Sequence, residues 1–272
     1  MTKTFTNTIG HDKQKKLFLK AFEKGKLGHS YALVGPRGVG KATFARDFAE
    51  ILGARPILDI FDYDSEKFTI EQARELRGNL RLKSSSGGYR VGIVNQAHAM
   101  TRSAANSLLK ILEEPPARSI VFLVTENKYA LLPTIASRVQ SVRFAGMREQ
   151  EMREIVGGWP GRDLELILEI SNGRLGVAIS IARDPALRDF YANAKRYWEA
   201  MEKGSLAERL LSSQSVSRLP GGEISRYLEF AMRKWLREGS SPELGNKIIS
   251  AFGDQRANVN TKLLLDNLFI AS

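Results

Sequence analysis

The sequence predicts an α/β domain built on a parallel sheet, followed by an all-helical remainder, and three observations carry that prediction. Over the first ~145 residues short apolar runs alternate with amphipathic ones, the pattern of strands joined through helices. A glycine-rich turn stands between the first strand and the helix after it. Beyond Gly146 the β-branched runs give way to helical patterns punctuated by Gly, Pro and Ser.

Taken in order, Ser30 to Val34 reads as a strand, and Lys41 to Leu52 as a helix through the spacing of Phe44, Ala45, Phe48 and Ile51. Ile57 to Phe61 reads as the second strand and Ile70 to Leu80 as the next helix. Arg90 to Val94 is the third strand, introduced by the turn-forming Ser84-Ser85-Ser86-Gly87-Gly88. Thr101 caps a helix that runs to Glu113 and stops before Pro115-Pro116. Ser119 to Val124, free of charge, suits the centre of a sheet, and Ser141 to Phe144 closes the set. Glu149 to Val156, Asp163 to Ser171 and Gly176 to Ala182 then suggest a small three-helix unit. The helices from Asp184-Pro185 to Phe269 are broken at Gly204, at Pro220-Gly221-Gly222 and between Gly239 and Pro242. The predicted domains are 1–146, 147–183 and 184–272.

A chain of 272 residues has room for two or three such domains. With 43% hydrophobic and 26% charged residues its composition is that of a globular protein. Apolar runs such as Ile120 to Val124 fall far short of the ~18 residues of a membrane span, so no membrane partner is expected. Met1-Thr2-Lys3-Thr4-Phe5 lacks the apolar core of a secretory signal and there is no cysteine, which together lead to an expected cytoplasmic location. The net charge of +11 favours nucleic acid or an acidic partner. The basic residues are scattered, however, and Arg81, Lys83 and Arg102 serve equally as DNA contacts or as solvated faces.

The chemistry concentrates in Gly35-Pro36-Arg37-Gly38-Val39-Gly40-Lys41, which fits G-x-x-x-x-G-K between a strand and a helix. Gly35, Gly38 and Gly40 let backbone N–H groups converge on a phosphate, the helix adds its positive end, and Lys41 supplies a point charge. The next position, where a hydroxyl would hold Mg²⁺, is Ala42; Thr43 follows one residue late, turned by about 100° around the helix. The third strand ends in Asn95 and Gln96, where hydrolysis needs an acid for the metal and a neighbouring base. Amides preserve shape but carry no charge. His98 is a lone histidine after a strand, more often structural than catalytic. No bound metal is expected, and nucleotide binding through Lys41 stays open.

Several blocks resemble a known family: Ile9-Gly10-His11, His29-Ser30-Tyr31, Asn106 through Pro116, and Leu131 through Arg138 are similar to bacterial DNA polymerase III clamp-loader subunits. The ending Ala257-Asn258-Val259-Asn260-Thr261-Lys262-Leu263 resembles the delta-prime collar. This resemblance implies an AAA+ P-loop domain, a three-helix lid over 147–183 and an oligomerising collar over 184–272. It implies that Arg138, with Ser137 of the family's Ser-Arg-Cys segment, acts as an arginine finger in trans; the alternative is a surface salt bridge. Asn95-Gln96 then stands as a degenerate Walker B, Thr125 and Arg174 as sensor-like residues, and Val177 occupies the place of the lid arginine. The implied partners are gamma/tau-type and delta subunits, the sliding clamp, and primer-template DNA reached through the assembled complex. No cofactor is required for that role, ATP or ADP binding is open, and the family's four-cysteine zinc module is missing, so no zinc is expected. An active gamma-type ATPase and a stand-alone P-loop enzyme are the alternatives.

Overall fold

The computed structural model describes residues 4–64, 67–84, 87–159, 163–239, 241–256 and 260–270. It divides into two compact units, Met1–Gly158 with Ser171–Ile179, and Trp159–Ile170 with Ser180–Ser272.

The first unit is organised by a five-stranded, all-parallel sheet: β1 (Ser30–Val34), β2 (Ile60–Tyr63), β3 (Arg90–Val94), β4 (Ser119–Thr125) and β5 (Gln140–Arg143), in spatial order β2-β3-β4-β1-β5. β4 is buried along its whole length, which explains its uninterrupted apolar run. Alternate residues of the strands feed two cores, one on each face of the sheet. Leu33, Ile93 and Phe122 join Phe44 and Phe48 of α2 (Lys41–Ile51) on one side. Ala32, Val94, Val121 and Leu123 meet Leu76 of α3 (Ile70–Arg81) and Leu108 of α4 (Arg102–Glu113) on the other. Local caps set the helix starts. Thr69 and Gln72 form a capping box at α3, and the Thr101 hydroxyl accepts the Ala104 N–H at 3.1 Å at α4.

Two features depart from the sequence reading. The helix α1 (Asp12–Glu23), which lies ahead of α2, was not anticipated. Its Phe18 is fully buried among the rings of Tyr31, Phe44, Phe48 and Phe122. The second strand begins at Ile60, not Ile57, because Pro56 to Asp59 forms a turn closed on the buried Asp59. The Asp59 N–H donates to Arg55 O at 2.9 Å, and its carboxylate accepts the Arg55 N–H at 3.2 Å. Ile57 is left exposed at φ +70°. Ser85 and Ser86 of the expected turn lie outside the described residues.

The helices Pro133–Ala136 and Glu149–Val156 complete the first unit apart from its last segment. The helix Leu164–Ser171 lies almost wholly in the second unit, and the helix Leu175–Arg183 begins in the first and ends in the second.

The second unit is otherwise built of Pro185–Lys203, Leu206–Ser217, Gly221–Glu238, Pro242–Arg256 and Thr261–Ile270. Asp184 and the Ser205/Glu208 box cap the first two of these. Gly221 and Gly222, read as part of a break, form the first helical turn behind Pro220, where unbonded N–H groups make glycine tolerable. Trp198, Tyr227, Ile248 and Phe269 form the interior, with Tyr227 stacked on Phe269 at 6.0 Å. Glu169 pairs with Lys234 and with Lys195, and Lys234 also holds Glu238 at 2.5 Å. Ala257, Asn258 and Val259 lie outside the described residues, while Asn260 accepts the Lys262 N–H at 3.1 Å at the start of the last helix. Among the described residues no helix is long and apolar enough to cross a membrane.

Candidate phosphate site and arginine segment

The glycine-rich loop follows the carboxyl end of β1 and delivers the chain into α2, so that helix N–H groups and Lys41 open onto one cavity of about 240 Å³. Two glycines are required by geometry. Gly35 passes so close to the chain leaving the neighbouring strand β5 that a Cβ would lie 2.0 Å from Phe144 O, and Gly38 takes φ +83° with a Cβ position 2.8 Å from a Val177 methyl. The Gly176 N–H donates to Gly38 O at 2.8 Å, and the His11 ring nitrogen Nε2 lies 2.7 Å from Val39 O, so the loop is held from both sides.

Lys41 is almost fully buried and its Nζ donates to Gly35 O at 2.5 Å and Pro36 O at 2.7 Å. Burial brings its pKa down to about 8, with the negative charge of Glu126 acting in the opposite direction. An anion placed in the cavity would therefore favour the charged ammonium.

Ala42, Thr43, Asn95, Gln96 and Thr125 all line this cavity, so the structure brings these sequence-predicted positions together. Thr43 borders the space beside Ala42, one helical position on. Asn95 is buried at the end of β3, its Nδ2 donating to Asp62 Oδ1 at 2.9 Å. Gln96 takes a left-handed backbone, φ 48° and ψ 42°. The Thr125 hydroxyl is turned back on its own loop, donating to Asn127 O at 3.0 Å and accepting the Asn127 N–H at 3.3 Å. Arg174 does not line the cavity; it is buried, with Nε donating to Ser171 O at 2.8 Å. The donor set does not fit a Mg²⁺ ion held by a loop hydroxyl and a strand-end acid. The first position is a methyl group, and the second is a neutral amide that brings no negative charge to a cation. Among the described residues no group of three or more His, Cys, Asp or Glu side chains could hold a metal ion.

Arg37, Asp64, His98 and Glu126 also line the cavity. Sequence reasoning set His98 aside and passed over the other three. For Asp64 the available signal was its place just past the second strand. Asp47, also passed over, is nearly fully buried on α2 and accepts from Asn7 N, Asn7 Nδ2, Thr8 N and Thr8 Oγ1 at 2.7 to 2.9 Å. An acid within the apolar spacing of Phe44, Phe48 and Ile51 was its signal.

Arg138 occupies the opposite end of the sheet. The cavity gathers residues that follow β1, β3 and β4, whereas Arg138 precedes β5, so a strand length of roughly 15 Å separates them. Its guanidinium pairs with Glu113, Nη2 at 2.7 Å and Nε at 2.8 Å, and Nη1 donates to Thr134 O at 2.9 Å and Ser137 Oγ at 3.3 Å. The two side chains are 37% and 47% exposed, so the pair contributes only about 0–1 kcal/mol and is easily opened. Blocks distant in sequence meet here. Ser30 Oγ donates to Arg138 O at 2.9 Å, and the His29 ring nitrogen Nε2 lies 3.0 Å from Leu112 O.

A family model described as DNA polymerase III, delta subunit, matches residues 53–148. The tau subunit of DNA polymerase III from Bacillus subtilis is 25% identical over 267 residues, which cover 88% of this chain and 47% of that protein. The gamma/tau subunit from Mycobacterium tuberculosis is 30% identical over 176 residues, 56% of this chain and 30% of that protein. The chain thus spans about half or less of the length of these relatives. A gamma subunit-related protein from Thermotoga maritima shares the fold with a TM-score of 0.63 at 21% identity, covering 93% of this chain and 96% of that one. The RuvB Holliday junction branch migration motor of the same organism gives 0.53 at 19% identity, over 95% and 88%.

Proposed function

This chain is an AAA+ relative of the bacterial DNA polymerase III clamp-loader subunits, and from that premise we propose that it is a non-hydrolysing, delta-prime-like member of the loader. In this reading it helps place the sliding clamp on primed DNA and lends Arg138 to the ATP site of a neighbouring subunit. Residues 147–183 act as the lid and 184–272 as the collar that joins it to gamma/tau-type and delta subunits in the cytoplasm.

One observation carries the reading. The phosphate cavity, with Ala42, Asn95 and Gln96 where a metal and a base would be held, and the arginine able to serve such a cavity stand at opposite ends of one sheet. An arginine so placed cannot reach its own cavity, but it can enter one presented by another molecule. There the planar guanidinium would stabilise charge developing on the transferred phosphoryl group. Ser137 supports it by accepting from Nη1. Lys41 and the loop amides retain what is needed to hold a phosphate, so ATP or ADP bound there would be a structural ligand and not a substrate. Thr125 would meet that phosphate only by leaving its contacts with Asn127, and Arg174 only by leaving Ser171.

The gamma/tau names of the relatives favour a second reading, an active gamma-type ATPase. Asn95 and Gln96 weigh against it, since neither amide can take a proton from water at neutral pH. A stand-alone P-loop enzyme is separated by assembly. Mixed with gamma-type and delta subunits on a sizing column, this chain is expected to elute in their complex. Elution as a monomer from every mixture would favour the stand-alone enzyme.

A further inference from the structure

A carboxylate is present one strand over from the strand end that lacks one, and it is already engaged. Asp62 sits on β2, in register with Ile93 of β3; it is an exposed position whose side chain is 21% exposed, against 45% for that of Arg46. Its Oδ1 accepts from Asn95 Nδ2 at 2.9 Å, and its Oδ2 accepts from Arg46 Nε at 2.5 Å. Arg46 lies on α2, the helix that starts at Lys41, so a single carboxylate links the phosphate-loop helix to the strand end. The main chain at position 95 is fixed too, its N–H donating to Tyr63 O at 2.9 Å. An amide can donate at that place. A carboxylate there would set two negatively charged groups about 3 Å apart, which is unfavourable unless one of them takes a proton.

We infer that Asp62 is a positioning residue of this site: through Asn95 and Arg46 it ties the phosphate-loop helix to the sheet and makes an amide, not an acid, the residue that position 95 carries. The inference rests on the non-hydrolysing reading and deepens it. The cavity is not an ATPase site with parts removed, because its metal-holding position has become one end of a polar bridge.

A reciprocal exchange tests this. Thermal unfolding of the nucleotide-free chain is compared for wild type, Asp62→Asn, Asn95→Asp, Asn95→Ala and the double exchange Asp62→Asn/Asn95→Asp. Asn95→Asp is expected to lower the midpoint by about 5 °C. That is more than Asn95→Ala, which loses the hydrogen bond without adding a charge. The double exchange restores a carboxylate–amide pair with the roles reversed and recovers at least half of the loss, a rescue that a packing role would not give. An Asn95→Asp chain as stable as wild type or as Asn95→Ala, or losses that simply add in the double exchange, would overturn the inference. Should Asn95→Asp alone not fold, folding of the double exchange supports the bridge and its failure to fold overturns it. Failure of the non-hydrolysing reading would appear elsewhere, as ATP turnover by the wild-type chain.

Discussion

Arg138→Ala is expected to lower ATP turnover of an assembled loader by about 10³-fold or more, the usual worth of an arginine finger. The side chain is more than a third exposed and its pairing with Glu113 is a surface ion pair, so its loss should change the stability of the chain by no more than ~1 kcal/mol. Assembly should survive, and the turnover defect cannot then be assigned to misfolding. Arg138→Lys keeps the charge but loses the planar fork and should not restore the rate. Steady-state hydrolysis with clamp, primed DNA and saturating ATP, on complexes matched by sizing, reads the effect. Unchanged turnover in an intact complex would return Arg138 to its bond with Glu113 and leave scaffolding as the role of the chain.

Asp47→Ala is expected to cost about 3 kcal/mol of stability. One nearly fully buried carboxylate takes four hydrogen bonds from Asn7 and Thr8 and so pins the segment that enters the first helix against α2. Burial alone would raise the pKa of this acid, but the donors from Thr8 and Asn7 outweigh it and hold the pKa below the ordinary carboxylate value. The sign follows from linkage. A depressed folded pKa gives stability that is complete above the unfolded value and is lost as pH falls through the folded one. Denaturant midpoints of wild type and Asp47→Asn should therefore differ most near neutral pH and converge in acid. A constant gap from pH 7 down to pH 3 would contradict this assignment.

Much of the fold was legible because its signals are local. β1, β3 and the helix capped by Thr101 lie where periodicity, turn residues and caps put them. Where tertiary contacts decide, the reading slipped. The helix over Asp12–Glu23 is masked by Lys13, Lys15 and Lys16, and its apolar side, Phe18 above all, has meaning only against the rings it meets. β2 is displaced because the buried Asp59 closes a turn that the apolar run Ile57-Leu58 conceals. The site divides in the same way. Lys41, Asn95, Gln96 and Thr125 were legible from a loop and two strand ends. Asp62 and Arg46 were not, because their meeting with Asn95 depends on the β2–β3 register and on the packing of α2. Glu113 and Arg138 stood in two separate blocks, and only the fold joins them.

The most direct measurement is ATP turnover by the purified chain alone, with Mg²⁺, clamp and primed DNA present. A rate no higher than that of buffer is expected, because Ala42, Asn95 and Gln96 stand where a loop hydroxyl, a strand-end acid and a neighbouring base would hold the metal and activate water. A saturable, Mg²⁺-dependent rate that Lys41→Ala abolishes would contradict it and make this chain a working ATPase of the gamma type.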